Sequence, residues 1–165
     1  MSIGEDLITF LLADSNITDY VSDRIQQGYA NEEDASPRIW IGRATREDDL
    51  DADGSEGMVV DSFDLECVAE NDDDSDGVDI STDMAQAVRD RLHKYRGLMG
   101  NTTTLGIFCD DQGDDYIYKS IESPDGHYIS ALSVRIFYNE APNPPYLPGP
   151  VAWYVGDSMV LDGSD

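Results

Sequence analysis

A chain of 165 residues with 40% hydrophobic content can bury one core but is short for two, and its 35 acidic against 10 basic side chains leave a formal net charge of -25. That balance excludes specific nucleic-acid binding, whose affinity comes from Lys and Arg neutralising phosphates, while the apolar content sets the chain apart from acidic disordered sequences. The opening residues hold an apolar run only from Leu7 to Ala13, behind Glu5 and Asp6. This fits neither a signal peptide nor a membrane span, so a soluble, unprocessed protein is expected.

Ser2 followed by Glu5 spells a capping box, and Ile3, Leu7, Phe10 and Leu11 recur at helical spacing, which predicts a helix over about residues 3–13. A short second turn, 17–21, follows Asp14-Ser15-Asn16 and places Ile17, Tyr20 and Val21 on one side. After a polar stretch, Pro37 leads into a strand over 38–43, where Ile39 and Ile41 share a face. Residues 46–57 offer almost nothing to bury and are expected to form an exposed loop.

From Val59 to Ala69 the odd positions are Val59, Asp61, Phe63, Leu65, Cys67 and Ala69, with Ser62, Asp64 and Glu66 between them, the alternation of a half-buried strand. A second long helix is expected over about 81–95. Met84, Ala85, Val88, Leu92 and Tyr95 form its apolar stripe, Asp83 favours its start, Lys94 and Arg96 its end, and Gly97 stops it. Three further strands, 103–109, 116–122 and 129–138, are predicted as an antiparallel meander separated by turns at 110–115 and 123–126. Leu105, Ile107 and Cys109 alternate inward, as do Leu132, Val134, Ile136 and Tyr138. The expected fold is α+β: an antiparallel or mixed sheet with two helices packed on one face, spanning 1–140.

Beyond Glu140 the composition changes, because five of the seven prolines (Pro142, Pro144, Pro145, Pro148 and Pro150) fall close together. Residues 141–165 read as a Pro-rich extended arm. It ends in a possible small hairpin around Gly156-Asp157 that carries Trp153, Tyr154, Met159 and Leu161. A lone hairpin is marginal in water, so these side chains need a surface. A neighbouring subunit or partner is the leading choice, beside folding back on the chain's own core or a loose tail.

The motifs offer little catalytic chemistry. Asp72, Asp74, Asp76, Gly77 and Asp83 echo the ligand spacing of an EF-hand loop, and Asp49, Asp51, Asp53 and Gly54 repeat half of it. Asp79 stands where an apolar residue belongs, the last ligand is Asp rather than Glu, and in a chain with 26 Asp such spacings arise by chance, so loops 49–54 and 72–83 are read as solvated acidic segments. Gly156-Asp157-Ser158-Met159 resembles a short esterase motif, yet no His follows to take a serine proton. His93 and His127 lack partners at ligand spacing and are expected at the surface; Cys67 and Cys109 are expected as reduced core thiols. No catalytic, cofactor or metal site is assigned, and no enzyme activity is expected.

The charge pattern has its own logic. Asp dominates the acids and only Lys94 and Lys119 are lysines, the composition found in proteins of extreme halophiles. Self-repulsion of this size opposes folding in dilute buffer, while in molar salt the Debye length falls to ~3 Å and the repulsion is screened.

The order of elements and several stretches resemble the tail-completion (tail-terminator) family of long-tailed phages and archaeal tailed viruses. The resemblance is carried by the opening helix at 6–14, the Ile-Thr-x-x-Val-x-Asp-Arg-Ile segment from Ile17 to Ile25, Pro37 before the first strand, the strand 61–67, the helix 84–92 and the closing strand 127–138. It covers about residues 4–140; the acidic loops and the arm depart from it. It implies a virion structural protein at the head-tail junction, assembled in the host cytoplasm. A homohexameric ring would cap the tail tube, end its polymerisation and receive the head-side connector or stopper, with double-stranded DNA passing through the lumen unbound and no membrane involved. The rival readings are another neck component, which as a stopper resembles a β-barrel and as an adaptor a helix bundle; a halophilic cation-binding assembly protein; and an enzyme with a scattered site.

Overall fold

The capping box forms as spelled: the Ser2 amide donates to Glu5 Oε2 (2.6 Å), and the Glu5 amide donates to Ser2 Oγ (3.3 Å). These contacts satisfy two of the donors a helix start leaves over. The computed structural model describes residues 2–28, 35–50, 56–70, 76–117 and 126–139. Helix α1 spans Ile3–Leu12, and α2 follows at Ser15–Val21, capped by Asp14. Strand β1 is Ile25–Gln27, β2 is Arg38–Leu50 and β3 is Glu56–Glu70. Helix α3 (Gly77–Leu92) leads to β4 (Gly97–Met99), β5 (Thr102–Ile117) and β6 (His127–Asn139).

These strands make one six-stranded sheet in the order β1-β2-β3-β6-β5-β4, antiparallel except for the β1/β2 pair. The α+β class and the one-sided helical layer therefore stand, with three helices in place of two long ones and a turn. The odd positions of β3 point to the helices as alternation predicts, and Phe63, Leu65 and Cys67 are buried. Phe63, Val134 and Cys109 form one row across three strands, and Asp61, Ile136 and Ile107 form the next. Met84, Ala85, Val88 and Leu92 of α3 close over β3 and β6. Helix α1 buries Leu7, Phe10 and Leu11 and touches both edge strands, β1 and β4, so the sheet curls around its helices.

Several expected boundaries move. Helix α3 starts at Gly77 rather than near Ser81, because Asp76 caps it by accepting from the Val78 amide (3.0 Å), and it stops at Leu92 rather than Tyr95. Gly97 does not end the helix; it opens β4 with a φ of +134°. The expected loop 46–57 is shorter, since β2 runs on to Leu50 and β3 begins at Glu56. Residues 110–115, expected as a turn, continue β5, whose far end pairs Tyr116 with Tyr128 and Ile117 with His127, so no separate strand starts at Tyr116. In β2 and β5 backbone pairing to a long neighbour extends a polar segment. The short edge strands β1 and β4 had no counterpart in the sequence reading. The 118–122 part of the predicted strand, most of the acidic loops and the arm 141–165 lie outside the described residues.

Candidate functional site

Three polar side chains, Asp6 and Asp61 buried and Glu70 partly exposed, tie the fold together. The Asp6 carboxylate accepts from the Asn101 amide (3.0 Å), Asn101 Nδ2 (3.4 Å) and the Thr102 hydroxyl (2.7 Å), which fixes the first turn of α1 to the β4–β5 turn. Gly100 in that turn has a φ of +58°, and a Cβ there would meet the Asp6 carboxylate. The Tyr138 hydroxyl donates to Asp61 Oδ2 (2.6 Å) inside the core. At the other end of the sheet Glu70 lies beside two buried side chains, with Arg38 Nη1 at 3.8 Å and His127 Nδ1 at 3.0 Å. The Arg38 guanidinium also stacks over the Trp40 ring.

His127 is therefore buried against Glu70, not at the surface as its position in the sequence suggested. His93 sits at the end of α3, with Nδ1 3.1 Å from the Cys109 carbonyl. The groups against the two rings are the Glu70 carboxylate at His127 and the Cys109 backbone at His93. Cys67 and Cys109 are free and buried, as expected. Burial pushes the Cys67 thiol far above its ordinary range. Burial is also the main cause that raises Cys109, to about 11; Asp110 and Asp111 add to the rise and Arg89 opposes it. Both remain protonated at neutral pH, and a thiol in that state is a poor nucleophile and ligand.

Among the described residues no group of His, Cys, Asp and Glu is placed to hold a metal ion. Asp76 Oδ1 caps α3 and Gly77 is the first residue of that helix, so the turn the EF-hand spacing asks of this glycine does not form. Asp83 lies exposed on that helix. An open cleft of about 610 Å³ between α2 and α3 is lined by Asp14, Asn16, Asp83, Gln86, Asp90 and Arg91. Arg91 lies 3.7 Å from Asp14 and its guanidinium covers the Phe10 ring, which joins the two helical segments to α3. The esterase-like Ser158 lies outside the described residues. No described helix is long and apolar enough to cross a membrane.

The surface that stands out is the sheet face turned away from the helices. Toward the end where β6 finishes, Met58 and Val60 of β3, Phe137 of β6 and Leu105 and Phe108 of β5 point outward together. Phe108 packs edge-on against Phe137 at 5.5 Å and against His93 at 6.4 Å. Leu105 was expected inside. A bulge between Thr104 and Gly106 instead puts Thr104 inward and leaves Leu105 43% exposed. Strict alternation from Ile107 already places Phe108 outside, so half of this patch was readable from the sequence; the bulge was not.

No family model matches the chain, and no curated protein matches it. Among solved structures it is similar to a chain described as "Virion of native gene transfer agent (GTA) particle", with a TM-score of 0.57 at 13% identity over 84% of this chain and 96% of that one. At that identity the likeness is one of fold, and it takes in nearly the whole of the other chain.

Proposed function

We propose that the protein is a structural component of a virus-like particle. It forms a ring at the head-tail junction, caps the tail tube, ends tube polymerisation and offers the head-side connector its docking surface. The observation that supports the virion part of this reading is the likeness of fold to a chain of a gene transfer agent virion, over 84% of this chain. The finer part, a ring that ends the tail, comes from the resemblance of 4–140 to tail-terminator proteins. Architecture also favours it over the other neck components, because an open sheet with helices on one face is neither a β-barrel nor a helix bundle.

The chemistry is that of surfaces, with no bond made or broken. Subunits related by closed rotational symmetry bury one another's faces, and growth stops when the ring closes. The net charge of -25 gives the lumen of such a ring an acidic wall, which repels passing DNA and keeps a conduit from becoming a binder. The charge also suits a salt-rich host, where screening lets like-charged subunits meet.

The test is polymerisation of the matching tail-tube protein with and without this chain, followed by electron microscopy. The reading expects tubes of bounded length with a ring at one end. Tubes of unchanged length with bare ends would refute it.

A further inference from the structure

We infer that the outward patch of Met58, Val60, Leu105, Phe108 and Phe137 is the seat of the C-terminal arm of a neighbouring copy, anchored by Trp153 and Tyr154. The inference rests on the self-association part of the proposed function, not on where the ring sits in a particle.

The first argument is charge. In a chain with 27% charged residues, the longest run without a charge is 141–156 and the next longest is 97–109. The first run holds the arm's prolines, Trp153 and Tyr154. The second supplies Leu105 and Phe108, both more than 40% exposed. Two surfaces of one acidic molecule that meet in this way bring no carboxylates together and bury apolar area, a contact that salt strengthens.

The second argument is reach. The arm leaves β6 at Asn139, which pairs with Met58 at the border of the patch, and the far side of the patch at Phe108 lies opposite Arg135. Those four residues of strand cover roughly 13 Å. The segment 141–150 holds five prolines, and a Pro-rich spacer of that length extends ~30 Å at ~3.1 Å per residue. At that reach Trp153 and Tyr154 can pass their own patch and meet the same patch on a neighbouring copy. A stiff spacer also loses little entropy when it docks. Repeated around a ring, each copy gives one arm and receives one, a head-to-tail contact that closes by rotation.

The experiment uses three full-length proteins in about 2–3 M salt, where repulsion is screened. One is the natural chain, one carries Leu105→Gln with Phe108→Gln, and one carries Trp153→Ser with Tyr154→Ser. Light scattering should show the natural chain assembled, and each double variant should lose assembly by more than about tenfold in dissociation constant. An equal mixture of the two variants should form pairs that do not grow, because only one good contact is possible per pair. Leu105 and Phe108 are exposed, and circular dichroism checks that each variant keeps the fold.

A second readout needs no change at the interface. With Trp40→Phe, Trp153 is the sole tryptophan, and its emission should shift to the blue as protein concentration rises. Variants that assemble like the natural chain, a mixture that stays monomeric, or a Trp153 signal independent of concentration would overturn the inference while leaving the ring itself intact. A natural chain that stays monomeric would overturn both.

Discussion

The two faces of the sheet are built from the same strands and differ in almost everything else. On the helical side Ile39, Ile41, Phe63, Leu65, Val134 and Ile136 are fully buried, and these apolar side chains fix the register of three strands. On the other side Asp64, Ser133 and Asp110 lie in register, Arg135 follows opposite Ser62 and Phe108, and an apolar patch occupies one end. A face that contributes little to folding is free to carry assembly, and the comparison says which substitutions should unfold the protein and which should only disarm it.

The inner face should give the largest effects. Phe63→Ala leaves a cavity among Leu65, Val134 and their neighbours and should cost about 3–5 kcal/mol, a large share of the ~5–15 kcal/mol typical of a domain. A urea titration in high salt reads it directly, and a loss below about 1 kcal/mol would mean that this side is not the core.

Next comes the carboxylate that ties α1 to the β4–β5 turn. Asp6→Ala removes the carboxylate that accepts from the Asn101 amide and the Thr102 hydroxyl, with an expected loss of about 1–3 kcal/mol in the same titration. Gly100→Ala should act in the same direction, since its Cβ would press on the Asp6 carboxylate from a backbone conformation that disfavours side chains.

The buried thiols sharpen the contrast through pH. Burial raises both thiols in the folded state, Cys109 to about 11, so above the ordinary thiol range the unfolded chain loses these protons before the folded one does. Stability is therefore fully present below that range and falls as pH rises toward 11. Unfolding midpoints at pH 8 and 10.5 should show the fall, and Cys109→Ala should make it shallower. Alkylating reagents should label neither cysteine until the chain unfolds.

The outer face should give the smallest effects on stability. Arg135 and Asp110 lie 3.5 Å apart with both side chains more than half exposed, so Arg135→Ala should cost less than about 1 kcal/mol. A cost comparable to that of Phe63→Ala would mean that the two faces are not as different as their burial indicates.

The sequence showed the inner face well and the outer face poorly, for a physical reason. Burial leaves a period: the odd positions from Val59 to Ala69 and the stripe through Met84, Val88 and Leu92 announced strand and helix with their correct sides. Backbone pairing leaves none. Arg46, Glu47 and Asp48 extend β2 only because Asp61, Val60 and Val59 lie opposite them, and 110–115 extend β5 against β6 for the same reason. The first turn of α3 was hidden by the acidic run before it, in which Asp76 acts as a cap rather than as a loop ligand. The Leu105 bulge removed one inward residue and exposed it in the patch, and the burial of His127 depends on Glu70, which is remote in sequence.

The most direct test of the account is the mass of the full-length protein in solution at about 2–3 M salt and again in dilute buffer, the regime change set by charge screening. The account predicts a closed ring in high salt, six chains in mass by the tail-terminator resemblance, that falls apart or unfolds as salt is removed and self-repulsion returns. A stable monomer of the same mass and fold at both salt concentrations would contradict it.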